Sequence, residues 1–264
     1  MNRDDLDYFR QWFSEYCRSF YTPDAADRKN ISLKERHTYE VCRNIVRIAD
    51  GQSLDEGGIM LAEAIGLFHD VGRFPQYARY RTFLDRVSVN HGELGAEVLV
   101  ENSILGRLSG RERDIIITAV KLHNAFKTPV LDDPEKIMFL QMVRDADKLD
   151  IYRVFFEYYE KPADERPTAA GIGLPDIPGY SPDVLACVMN MQLVPLTMLR
   201  GLNDFKLTKM SWIYDLNFAA SFRMLAENNY LHRIVETLPQ TDEIRAAAAL
   251  LDEYVRQRIE HDGS

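Results

Sequence analysis

Apolar residues recur at helical spacing along almost the whole chain, as at Val41, Ile45, Val46 and Ile48 and again at Ile115, Ile116, Ala119 and Val120, while alternating strand patterns are scarce. This periodicity predicts an all-α fold. Three helix starts can be placed: Asp55 before "EGGIMLAEAIGLF", Ser109 before "GRERDIIITAVKLH", and Asp133-Pro134-Glu135 before "KIMFLQMVRDADKLDIYRVFFEYY". Each joins a residue whose side chain can cap a helix to acidic residues in the first turn. Residues 161–182, "KPADERPTAAGIGLPDIPGYSP", hold five Pro and three Gly, which rules out a continuous helix. They are expected to form a loop or a lid between a helical core at residues 1–160 and further helices at residues 183–264. Those further helices are either a second lobe or the completion of one domain. The stretches "MSWIYDLNFAASFRMLAENNYLHRIV" and "TDEIRAAAALLDEYVRQRIE" continue the amphipathic pattern there.

Charge narrows the partners. With 41 acidic against 32 basic residues the chain of 264 carries a net charge of -9, which argues against a broad footprint on a nucleic-acid polymer or an anionic membrane and leaves small anionic substrates open. Cys17, Cys42 and Cys187 are odd in number, widely spaced and form no CxxC, so neither a disulfide framework nor a thiolate zinc site is expected. The stretch "MNRDDLDYFRQWF" has no apolar signal core, and "LACVMNMQLVPLTML" is interrupted by Asn190, Gln192 and Pro195. A cytoplasmic protein without a membrane span is the expectation, with its oligomeric state open.

The histidines carry the strongest chemical signal. There are six, and four of them, His37, His69, His91 and His123, fall in the first half, each within or at the edge of an expected helix. Asp70 follows His69, and "RDADKLD" adds Asp145, Asp147 and Asp150. Imidazoles and carboxylates without thiolates suit a divalent transition metal such as Fe, Mn, Co, Ni or Zn. Four His and two Asp suffice for two ions sharing one carboxylate. A single His on a helix is more often a satisfied core residue, and an HD dipeptide alone carries nothing. His261-Asp262 is another such pair, expected in a frayed tail. The ordered series raises the reading above that background.

"HTYEVCRNI", "LFHDVGRF", "NHGELGAEVL", "KLHNAF" and "RDADKLD" resemble the successive motifs of the HD-domain metal-dependent phosphohydrolase superfamily over about residues 31–160. The resemblance implies an HD-domain helical bundle with additional C-terminal helices, and it maps metal binding onto His37, His69, Asp70 and Asp147. His91 and His123 match the extra ligands of the binuclear branch. Asp145 is then available as an acceptor that orients a ligating imidazole. Arg73 stands where the cyclic-dinucleotide HD-GYP branch has Lys, "HNAF" lacks that branch's Gly-Tyr-Pro, "GRFPQYARY" lacks the histidines of deoxynucleotide triphosphohydrolases, and the Glu-Asp motif of alarmone hydrolases is not evident. No substrate-defined branch is assigned.

What the resemblance implies for activity is hydrolysis of a phosphoester, of a nucleotide or another small phosphorylated metabolite, by a water activated between two ions that Asp70 bridges. Arg73 and Lys148 are the candidates for meeting the developing phosphoryl charge. Arg79, Arg81 and Arg86 are weaker ones, since they also fit a solvated rim while Phe74, Tyr77, Tyr80 and Phe83 pack the core. Gly72 is expected to turn the chain at positive φ and send Arg73 back toward the metals. If Arg73 is structural instead, Glu63 or Asp85 would be its partner. The di-iron oxygenases of the superfamily share the ligand pattern and form the alternative. A nucleotide-binding regulator without activity is the third reading, disfavoured by the intact ligand series.

Overall fold

The computed structural model describes residues 1–171 and 173–260, which form helices, short helical turns and loops, with no strand among the described residues. The His261-Asp262 pair lies outside them. The chain divides into two compact units after residue 172, inside the Pro- and Gly-rich segment.

The first unit contains α1 (Arg3–Ser19), α2 (Ala25–Ala49), α3 (Glu56–Phe68), α4 (Arg73–Tyr80), α5 (His91–Glu101), α6 (Gly110–Leu122) and α7 (Pro134–Glu160). The three expected helix starts are present. Asp55 caps α3, Ser109 caps α6 in a reciprocal box with Glu112, and Asp133 accepts from the amides of Glu135 and Lys136, with Pro134 in the first turn of α7. Helix α7 packs against α2, α3 and α6. Its buried residues, among them Phe139, Leu140, Met142, Val143, Ala146 and Leu149, spread around the axis instead of forming one stripe, as a helix covered on several sides requires. Helix α2 lies against α3 and α7 with Ile31, Val41, Ile45 and Ile48 inward, and α1 covers α3. Helices α5 and α6 pair, and α4 touches both α2 and α5.

Among its described residues the Pro- and Gly-rich segment contains no α-helix until its last residue. Residues before the division are fastened to α2: the Ala169 amide donates to Asn30 Oδ1 at 3.0 Å, Asn30 Nδ2 donates to Thr168 Oγ1 at 3.1 Å, and Lys29 Nζ donates to the Asp164 carbonyl at 3.0 Å. Residues after it belong to the second unit, where the Leu202 amide donates to the Pro175 carbonyl at 3.0 Å.

That second unit contains α8 (Pro182–Met189), α9 (Leu202–Ser211), α10 (Ala219–Glu227), α11 (Tyr230–Glu236) and α12 (Asp242–Glu260). Helix α12 packs on α8, α10 and α11. Buried Asp204 accepts from the amide and hydroxyl of Ser181 at 2.7 and 2.8 Å and from the Arg200 amide at 2.9 Å, tying the start of α8 to α9. The amphipathic stretch from Met210 to Val235 is not continuous, because Asn229 takes a left-handed conformation (φ 54°) between α10 and α11. No helix among the described residues is long and apolar enough to cross a membrane.

Candidate metal centre

Five helices of the first unit deliver the predicted ligands. His37 lies on α2, His69 caps the C-terminus of α3 with Asp70 next in the turn, His91 opens α5, His123 caps the C-terminus of α6, and Asp147 sits in the middle of α7. Two overlapping groups could each hold an ion: His37, His69 and Asp70, and Asp70, His91 and His123, with candidate ligand atoms within 4.8 Å of one another in each. Asp147 joins the first, its Oδ1 3.0 Å from His37 Nε2 and 3.8 Å from His69 Nε2. All six predicted ligands therefore converge, with Asp70 common to both halves.

How the imidazoles are held decides what they can do. His69 Nδ1 reaches back 2.7 Å to the Gly66 carbonyl, and His123 Nδ1 does the same to the Val120 carbonyl at 2.8 Å. A carbonyl only accepts, so each Nδ1 carries the proton and each Nε2 of a neutral ring presents a lone pair. The same bond satisfies one of the carbonyls that a helix end leaves open. Carboxylates do this work for the other two: Asp150 Oδ2 lies 2.5 Å from His37 Nδ1 and Asp85 Oδ2 2.6 Å from His91 Nδ1. The four Nε2 atoms face inward, at 3.4 Å between His37 and His69 and 3.0 Å between His91 and His123. Asp147 Oδ1 is buried there and receives no hydrogen bond. Ring nitrogens turned toward each other and an orphaned carboxylate oxygen fit a bound cation, and an N/O donor set without thiolate fits a divalent transition metal.

Charge in the site is distributed unevenly. Burial and nearby Lys34 pull the His37 imidazole down, but the carboxylates of Asp147 and Asp150 prevail and raise it to about 9. Burial lowers His69 to about 4, and burial together with the Arg73 guanidinium lowers His91 to about 3. Asp70 is fully buried, which opposes ionisation, yet Lys34, His69 and Arg73 hold it well below the usual carboxylate range. Asp147 and Asp85 are held low against burial, the first by His37 and His69, the second by His91 and Arg73.

Three expectations need correction. Gly72 has φ -67°, not a positive φ, and its absent side chain serves a close approach. A Cβ there would collide with the His91 carbonyl oxygen and stand 2.6 Å from the Gly95 amide nitrogen, so glycine lets the α3–α4 turn press onto α5. Asp145 does not orient the imidazoles, because all four Nδ1 atoms already face other acceptors, and that role falls to Asp150 for His37. Arg73 is not a free fork. Its Nη1 donates to the Phe83 carbonyl at 2.6 Å, Asp85 Oδ1 at 2.8 Å and Gln76 Oε1 at 2.9 Å, while its Nε lies 3.3 Å from Asp70 Oδ1. Of the two structural partners considered for it, Asp85 is the one it meets, and Glu63 pairs with Arg10 instead.

Lys148 follows Asp147 on α7, with its Nζ 3.4 Å from the Arg144 carbonyl. Arg79, Arg81 and Arg86 are exposed, and Arg81 is spent on Asp27, whereas Phe74, Tyr77 and Phe83 are buried. Sequence reasoning missed Lys34, whose Nζ donates to Asp70 Oδ2 at 2.7 Å, and the orienting role of Asp85. Lys34 was findable, because it precedes His37 by three positions on one helical face. Asp85 was not, since a loop brings it to His91.

The model of the HD domain family matches residues 35–152, the stretch that carries every one of these ligands. No curated protein and no solved structure matches the chain.

Proposed function

We propose that this chain, whose residues 35–152 match the HD domain family, is a metal-dependent phosphohydrolase that cleaves a phosphoester of a nucleotide or another small phosphorylated metabolite. One observation carries the reading: two groups of imidazoles share the single carboxylate of Asp70 within the matched domain. His37, His69, Asp70 and Asp147 would hold one ion, and Asp70, His91 and His123 a second. Two such ions supply Lewis acidity toward a phosphoryl oxygen and lower the pKa of a water at neutral pH.

The chain's own contribution is orientation and charge. Asp85 and Asp150 and the Gly66 and Val120 carbonyls fix each imidazole with Nε2 directed inward, so none of the four rings has to turn on binding. Burial of His37, His69, Asp70, His91 and His123 excludes water from the ligand atoms and strengthens every electrostatic interaction among them. Arg73 is a fixed positive charge beside Asp70, locked by Asp85 and Gln76, and acts on phosphoryl oxygens through its field. Lys148, next to Asp147, is the second cation assigned to the anionic substrate.

The ligand set also suits a di-iron oxygenase, so the test must separate hydrolysis from oxidation. Metal analysis of the purified chain is followed by parallel aerobic and anaerobic assays on phosphomonoesters, nucleotides and cyclic dinucleotides. About two transition-metal ions per chain and phosphate release that does not depend on oxygen are expected. Turnover that requires oxygen, or a fully loaded protein that releases phosphate from none of these classes, overturns the assignment.

A further inference from the structure

The two oxygens of Asp70 have different neighbours. Oδ1 lies 3.3 Å from Arg73 Nε, 3.3 Å from His91 Nε2 and 3.8 Å from His123 Nε2. Oδ2 lies 3.5 Å from His37 Nε2 and 3.7 Å from His69 Nε2, and it accepts a hydrogen bond of 2.7 Å from Lys34 Nζ. Each oxygen thus has one permanent cation of the chain beside it, and the two cations differ in their ties. Arg73 is anchored by Asp85, Gln76 and the Phe83 carbonyl. Lys34 makes one described hydrogen bond, to Asp70, with its ammonium 5.4 Å from the centre of the Phe83 ring. Its side chain is 15 % exposed, against 3 % for Asp70.

We propose that Lys34 is a built-in counter-cation: it neutralises Asp70 in the metal-free protein and yields Oδ2 when a divalent ion enters the His37, His69 and Asp70 group. A carboxylate buried without a partner is strongly destabilising, so a chain that folds before it meets metal needs positive charge at Asp70. An ammonium and a divalent ion cannot both sit in contact with one oxygen without mutual repulsion. The Lys stem is flexible and its ammonium is readily hydrated, so it can withdraw through its exposed side, whereas the guanidinium of Arg73 is fixed in its fork. The exchange goes beyond the proposed reaction and holds whichever chemistry the loaded site performs.

The test uses the full chain with Lys34→Met, which keeps length and removes charge, and with Lys34→Arg, which keeps charge. Chelator-stripped and Mn²⁺-loaded samples are compared by thermal unfolding, and stripped samples are titrated with Mn²⁺ in a calorimeter. Stripped Lys34→Met is expected to melt about 5–10 °C below the stripped wild type, while the loaded forms melt together. Because what the metal-free state loses returns as metal affinity, Mn²⁺ should bind the variant about ten- to hundredfold tighter. Lys34→Arg should stay near wild type on both scales. An unchanged melting point of the stripped Met variant, weaker Mn²⁺ binding, or an equal loss in stripped and loaded forms overturns the proposal. So does failure of both Lys34→Met and Lys34→Gln to fold with Mn²⁺ present, which would make Lys34 a general structural prop. If the wild type itself takes up no Mn²⁺, the metal assignment fails with it. Normal wild-type uptake with unaltered affinity in the variant defeats the counter-cation alone.

Discussion

Asp85→Asn is the sharpest probe of how the second half of the site is set. The carboxylate accepts four hydrogen bonds: Oδ2 from His91 Nδ1 at 2.6 Å and Asn124 Nδ2 at 3.1 Å, Oδ1 from Arg73 Nη1 at 2.8 Å and Gln76 Nε2 at 2.8 Å. An amide of the same shape has one oxygen and one NH2, so one side must change from acceptor to donor. If the NH2 faces His91, the ring must accept at Nδ1 and carry its proton on Nε2, the atom that has to offer a lone pair. If the NH2 faces Arg73, a charge-assisted bond worth about 1.5–3 kcal/mol is replaced by opposed donors. The side chain is 31 % exposed, so water offsets part of that and the lower half of the range applies. Affinity of the His91 and His123 half should fall about 10- to 100-fold, which is about 1.4–2.7 kcal/mol, while the His37 and His69 half is spared. Mn²⁺ titration of the stripped protein reads both steps, and only one of them should move. Two unchanged steps with an unchanged melting point would refute the orienting role of Asp85.

Metal content measured by elemental analysis should drop toward one ion per chain in His91→Ala or His123→Ala and nearly vanish in His69→Ala or Asp70→Ala; full occupancy in the Asp70 variant would defeat the ligand assignment. Arg73→Ala should lower kcat/KM for a phosphoester by about 2–4 kcal/mol and also lower the melting point, because Asp85 and the Phe83 carbonyl lose a donor, with Arg73→Lys recovering part of each. A folded, loaded Arg73→Ala enzyme with wild-type turnover would contradict this. In the metal-free protein, His69 and His91 are held far below their ordinary value of 6.5, so the unfolded chain binds more protons than the folded one on the acid side. Their contribution is whole well above pH 6.5 and is lost as pH falls toward 4 and 3, by about 3 kcal/mol between pH 6.5 and 5. His37, raised to about 9, acts in the opposite sense, stabilising fully below 6.5 and losing that contribution as pH rises through 9. Urea midpoints should therefore peak near neutrality, and a flat profile between pH 5 and 7 would show that His69 and His91 are not buried neutral.

The convergence of the candidate ligands was legible because each residue stands in a short local pattern that keeps its meaning wherever the helices go. The caps at Asp55, Ser109 and Asp133 were legible for the same reason, since a cap is decided within four residues. Gly72 was misread because glycine serves two ends, a left-handed turn or a close approach, and only the position of α5 distinguishes them. Asp150 was within reach, three positions after Asp147 on one helical face, whereas Asp145 lies two positions before it and faces elsewhere. The Arg73–Asp85 lock and the Asp85–His91 contact depend on the path of the loop between α4 and α5, which no periodicity encodes.

His69 and His123 both end their helices, and this has an electrostatic consequence separate from any side-chain charge. The peptide dipoles of α3 and α6 point their negative ends at the positions these two rings occupy, each equivalent to roughly half an elementary charge spread over the last turn. Beside the two carboxylates of Asp70 and Asp147, the main chain thus adds a negative potential that no change of pH can titrate away. A cation held there gains from backbone that is already folded, so unwinding the last turn of either helix would weaken binding even with every ligating side chain still present.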